Sequence, residues 1–198
     1  MLVRDIVERF KEKRPVGLMA RMALARLPAP QAIDQVFLEN DQDQYERKIP
    51  FAALTELMAE VVLCLSPSVN AGYHKLKEKL IASRSCVFGK LERVEPRVAQ
   101  ALVRYSYEQA RAICSQMRMW NAADIPGYRT KILDGNHLSG TEHRLKEMRI
   151  EPAAALPGKS LVVLDPRCRA IQDMFPIEDG HAQERSALDE VIETVEAN

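Results

Sequence analysis

This sequence predicts an α+β chain, helices first and strands after, on three observations. Up to about Trp120 the apolar residues recur at i, i+3, i+4 and i+7, the spacing of helices with one buried face. After Asp124 the breaker Ile125-Pro126-Gly127 leads into short runs of β character, of which Leu161-Val162-Val163-Leu164 is continuously apolar. The 198 residues are 46% hydrophobic and 28% charged. That balance excludes a disordered, collagenous or disulfide-framework protein and lets the chain bury about two-thirds of its unfolded surface.

The elements follow in order. Lys11 to Pro30 imitates a signal peptide, but Arg21 and Arg26 interrupt its apolar core, so an amphipathic helix is expected there. Leu54, Leu57, Met58, Val61, Val62 and Leu65 form a helical stripe between Pro50 and Pro67. The apolar run Phe51 to Leu65 carries Glu56 and Glu60 and falls short of the ~20 residues a bilayer span needs. No membrane partner is therefore expected. Cys64, Cys86, Cys114 and Cys168 are scattered without a Cys-x-x-Cys pair, which suits buried thiols in a reducing, cytoplasmic setting.

Ser68 is positioned to cap a helix with Val69, Tyr73 and Leu76 on one side and Lys75, Lys77 and Lys79 elsewhere. A short helix is expected from Ser83 to Leu91, its inner face Val87, Phe88 and Leu91. Pro96 then opens a long helix through Val98, Leu102, Tyr105, Ala112 and Met119, its missing N–H harmless in the first turn. Strands are expected over Tyr128–Asp134, Ser160–Asp165 and about Ala170–Ile177. Leu161 to Leu164 reads as a strand buried on both faces. Residues 138–158 form a connection with a charged helical stretch, His143 to Arg149. The last segment, Ala182 to Ala197, carries Leu188, Val191, Ile192 and Val195 on one face and needs a sheet to lie on.

The formal net charge is zero, yet the charge is segregated. Tyr73 to Lys131 holds 12 Lys and Arg against 5 acids, whereas Asp173 to Asn198 holds 1 Arg against 8 acids. A basic part joined to an acidic part predicts two modules, residues 1–123 and 124–198.

Three constellations could carry chemistry. The first is Asp134-Gly135, a carboxylate at the end of an apolar strand beside a glycine that lets backbone and substrate approach, which is one way to hold a divalent cation. The same pair also reads as an ordinary turn. The second is Asp134, His137, Glu142 and His143, two imidazoles and two acids within ten residues, a metal-hydrolase alternative. The six-residue spacing of the histidines does not stack them on one helix face, and Ser139-Gly140 reads as a loop.

The third is the basic stretch, with Lys75, Lys77, Lys79, Arg84, Lys90, Arg93 and Arg97 interleaved with Tyr73 and Phe88. Two short helices joined near Ile81-Ala82-Ser83 have the outline of a helix-turn-helix, in which lysines and arginines neutralise DNA phosphates while Arg84, Ser85 and Lys90 face base edges or backbone. A solvated helix face is the alternative. Asp165 ends an apolar strand too, but antiparallel neighbours would put it at the opposite sheet edge from Asp134, and it reads as the start of an Asp165-Pro166 turn.

The runs Lys131 to Leu138, Thr141 to Lys146, Leu156 to Pro166 and Phe175 to Ser186 together resemble bacterial insertion-sequence DDE transposases of the IS-four type. Ile49-Pro50-Phe51, Pro67 to Ala71 and Val94-Glu95-Pro96 are similar to the helical N-terminal region of that group. The resemblance implies a ribonuclease-H-like domain opening with a three-stranded antiparallel meander and a helix. It implies transposon-end DNA as partner, and Mg2+ or Mn2+ as cofactor of the complete family enzyme. Two Asp and one Glu hold the two metals that activate water or a DNA 3′-hydroxyl for in-line attack.

On this pattern Asp134 matches the first acid, both catalytic and metal-binding. The second Asp belongs to the strand after the first catalytic-core helix and the Glu lies further on, so neither is among these residues; Asp165, Glu178, Asp179 and Glu184 do not match them. One carboxylate cannot fix two repelling cations ~3.5–4 Å apart. The expectation is a truncated transposase with an incomplete ribonuclease-H-like domain, DNA-binding but inert in strand transfer. Its rivals are a DNA-binding or dimerising regulator of the full-length enzyme and a non-functional remnant with an exposed sheet edge.

Overall fold

The computed structural model describes residues 29–41, 49–118, 120–121, 125–138, 158–177 and 182–195. The sequence expectations for Lys11 to Pro30 and for His143 to Arg149 lie wholly or almost wholly outside them. Within the described residues the chain is α+β, with six α-helices and one three-stranded antiparallel sheet. The helices are α1 (Pro30–Asn40), α2 (Phe51–Val62), α3 (Val69–Leu80), α4 (Arg84–Leu91), α5 (Pro96–Met117) and α6 (Leu188–Thr194). The strands are β1 (Ile132–His137), β2 (Lys159–Asp165) and β3 (Ala170–Ile177), and a 3-10 turn, Glu184–Ala187, leads into α6. No helix among the described residues is long and apolar enough to cross a membrane.

The helix starts obey local chemistry. Pro30 and Pro96 sit in first turns. The Ser68 hydroxyl accepts from Ala71 N at 3.2 Å, and the Ser83 hydroxyl from Cys86 N at 3.3 Å. The first core is helical: Ile33, Phe37, Phe51, Leu54, Leu57, Tyr73, Leu76, Leu80, Val87 and Val98 are buried together, with the Phe37 and Phe51 rings stacked at 4.5 Å. The α2 stripe is only half used, because Met58, Val62 and Leu65 are exposed beyond the reach of this core.

The second core is the sheet. Leu161, Val163 and Phe175 pack against Ala187 and Val191, with Ile177 and Val195 at the margin. The expectation of a strand buried on both faces is corrected to alternation: Val162 and Leu164 are half-buried, since the helices lie on the face of Leu161 and Val163. The last helix is likewise narrower than its sequence stripe, with Ile192 exposed. The first strand is shifted from its expected span, starting at Ile132 and running to His137. Tyr128 N bonds Ile125 O in a turn, and pairing with β2 from Ile132↔Leu164 to His137↔Lys159 sets the limits.

Helix α5 joins the helical core to a third, smaller cluster against the sheet. Val98 and Leu102 near its start join the helical cluster, while Tyr107 and Cys114 pack with Cys168 and Ala170 of the β2–β3 hairpin. Tyr107, not Tyr105, is its buried tyrosine.

Candidate functional site

The α3–α4 unit has the two-helix outline read from the sequence. Three residues connect the helices, with Ile81 left-handed at φ 45° closing α3, and the Tyr73 hydroxyl donating to Ala82 O at 2.9 Å. Of the residues assigned to DNA here, Lys77 and Arg93 are exposed and make no ion pair among the described residues. Arg84 is exposed and bonds Asn70 Oδ1 at 3.2 Å; Ser85 is exposed beside the Ser83 hydroxyl at 3.1 Å.

Lys75 and Lys79 are exposed but paired to α2, Nζ lying 2.6 Å from Glu60 and 2.5 Å from Glu56 respectively. The Lys75 ammonium holds the Glu60 carboxyl below its ordinary range. The two pairs differ: Glu56 and Lys79 are both exposed, whereas the Glu60 side chain is only 14% exposed and also accepts from the Ser66 hydroxyl at 3.1 Å.

Lys90 is the correction. It is 6% exposed, donates to Ile49 O at 2.6 Å and lies 4.9 Å from the Phe37 ring centre. Burying an ammonium requires such compensation, and the result is a lysine held within the helical core.

Asp134 is exposed on β1, opposite Val162, in mid-strand and not at its end. Among the described residues its neighbours build no metal centre. His137 is three residues along the same strand and so faces the other way, while Glu142 and His143 lie outside the described residues. A Cβ built on Gly135 would fall onto the Glu184 carboxylate, so the open side of this glycine is taken by a side chain on the face away from Asp134. Among the described residues no group of three or more His, Cys, Asp or Glu could hold a metal ion. A lone exposed carboxylate does not fit a two-metal centre.

What the sequence reading missed is a polar junction between α5, the β2–β3 hairpin and the segment before β1. Asp165 does begin the turn, accepting from Arg167 N at 2.9 Å. It is also 6% exposed and takes the Tyr107 hydroxyl and Lys131 Nζ, both at 2.7 Å. Burial works to raise its pKa, but these three donors outweigh it and hold the carboxyl below the usual range. Burial and the adjacent carboxylate push the Tyr107 hydroxyl up, and they push the Cys168 thiol up to about 11, an inert state for a cysteine.

A second buried acid, Asp173, accepts from Arg104 Nε at 2.9 Å and Gln100 Nε2 at 3.2 Å, tying β3 to α5. Asn121 completes the junction by donating from its backbone to Arg167 O at 2.9 Å and from its side chain to Pro166 O at 2.8 Å. These groups wall a cleft of about 440 Å³. Five cations line it, Arg104, Arg111, Arg129, Lys131 and Arg167, against three carboxylates, Glu108, Asp165 and Asp173. The Arg167 guanidinium lies 5.4 Å from the Trp120 ring centre.

No protein-family model, no curated protein and no solved structure matches this chain.

Proposed function

We propose that these residues form the DNA-contacting part and the opening of the catalytic fold of an IS-four-type DDE transposase, binding transposon-end DNA without cutting it themselves. The observation that carries the DNA part is the α3–α4 unit, a tight capped turn between two short helices with Lys77, Arg84 and Arg93 exposed and Lys79 in a solvent-exposed pair that a phosphate can displace. The catalytic part is supported by the order of three antiparallel strands and then a helix, with Asp134 on the first strand. In the ribonuclease-H-like reading that strand presents the first of three acids. A single exposed carboxylate holds no metal pair in place, so strand transfer needs acids beyond those described.

Fluorescence anisotropy with a labelled DNA duplex across a salt series tests the proposal. Each phosphate contact contributes about −0.9 to the slope of log K against log salt. Joint Lys77→Ala and Arg93→Ala substitution is expected to weaken binding on every duplex and flatten the slope by about 2. No affinity at low salt, or affinity indifferent to salt, overturns the DNA reading. Nicking with Mg2+ that disappears in Asp134→Ala overturns the claim of inertness.

A further inference from the structure

We propose that the cleft between α5 and the β2–β3 hairpin is a binding site for the phosphate of a nucleotide, free or within a strand, independent of the α3–α4 interface. Its charge balance comes first. Asp165 and Asp173, two of its three carboxylates, are already satisfied from within by Lys131, Tyr107, Arg104 and Gln100. The third, Glu108, lies 3.8 Å from Arg111, so the five cations of the wall exceed its carboxylates by two and the cleft is net cationic.

Two buried polar atoms of its wall lack a protein partner among the described residues: the donor Arg167 Nε and the acceptor Gln172 Oε1. Buried unsatisfied groups are rare in native proteins, which makes a donor and an acceptor on one wall a specific demand. Gln172 reaches this position through backbone irregularity. Val163 pairs with Asp173 and Leu164 with Ile171, so Gln172 is the extra residue of a β-bulge, a device that re-aims a side chain. Its Nε2 donates to Thr194 O at 3.4 Å.

The Arg167 guanidinium is held against the indole of Trp120, and its backbone is pinned by Asn121 and Asp165. A guanidinium fixed in place gives its forked donors to a phosphate with little further loss of freedom. Trp120, 37% exposed, adds aromatic surface of the kind on which a base stacks. The volume, about 440 Å³, falls within the range of small-molecule sites.

Trp120 is the only tryptophan in the chain, so its emission reports this cleft. The test titrates the 198-residue chain at low salt with deoxyadenosine monophosphate and, separately, with a short single-stranded oligodeoxynucleotide, following that emission. A saturable change with at least one probe is expected. Response to the mononucleotide assigns a free nucleotide as source, and response to the oligonucleotide alone assigns a strand.

Arg167→Gln is expected to weaken the response at least ~10-fold, as loss of a hydrogen bond to a charged group implies, while the Lys77→Ala, Arg93→Ala variant keeps it. No saturable change with either probe overturns the proposal. So does a response that survives Arg167→Gln but is lost with Lys77 and Arg93. Should Arg167→Gln fail to fold by circular dichroism, the exposed Arg129→Gln decides, with unchanged affinity counting against the site. Duplex binding through α3–α4 is read separately by anisotropy, so failure of one proposal leaves the other distinguishable.

Discussion

Asp165 shows how a single side chain can serve two purposes. Its Oδ1 shapes the hairpin turn through Arg167 N, and its Oδ2 receives Tyr107 and Lys131. Removing the charge strands a buried lysine, for the Lys131 side chain is only 17% exposed. Asp165→Asn is expected to cost about 3 kcal/mol at pH 7, the scale of a broken buried pair, measured by urea unfolding. The pH dependence follows from the lowered carboxyl pKa. The stabilisation is complete above the unfolded value of about 3.9 and is lost as pH falls from there through the folded value. The gap between wild type and Asp165→Asn should therefore narrow towards pH 3; a constant gap would contradict the assignment. From sequence, Asp165-Pro166 is legible as a turn, because that role needs only neighbours. The other role depends on Tyr107 and Lys131, 58 and 34 residues away.

Among the elements, the α3–α4 connection is the most constrained. Ile81 is a β-branched residue at φ 45° with 81% of its surface exposed, so it bears the left-handed penalty without compensating burial. Ile81→Gly is expected to stabilise the protein by about 1 kcal/mol, the relief of strain exceeding the added freedom of the unfolded chain. That corresponds to a thermal midpoint ~2–4 °C higher; a lower midpoint would mean that Ile81 makes contacts that matter. The starts of α2 to α5 were readable because caps and prolines act within three residues, whereas α1 from Pro30 and the start of α6 at Leu188 were not. Strand β1 was not readable to the residue, since its limits come from β2, and Lys90 was misread because nothing in a basic stretch marks which cation faces Phe37.

At the scale of the whole molecule, the segregated charge is partly used inside. Arg104 and Lys131 come from the basic stretch, and they neutralise Asp173 and Asp165 in the strands. The helical and sheet cores are thus joined along α5 by buried polar contacts as well as by Tyr107, Cys114 and Cys168. Asp173→Ala is expected to destabilise the junction by roughly 1–2 kcal/mol, leaving the Gln100 donor unpaired while the half-exposed Arg104 regains water. Hydrogen exchange should then quicken at Leu161 to Val163 and Met174 to Ile177 while Tyr73 to Leu80 stay protected. Equal loss in both cores would mean that they unfold as one unit.

The sequence by itself determined the helix-then-sheet order, the capped turns and the strand run from Leu161 to Leu164, all consequences of local periodicity and neighbour chemistry. Only the tertiary structure decided which charges are spent within the fold. It put Lys90 in the core, paired Lys75 and Lys79 with α2, and gathered Arg104, Tyr107, Lys131, Asp165, Arg167 and Asp173 around one cleft. The reason is physical: an ion pair or a buried hydrogen bond is set by distance in space and by exclusion of water, and neither is carried by spacing along the chain.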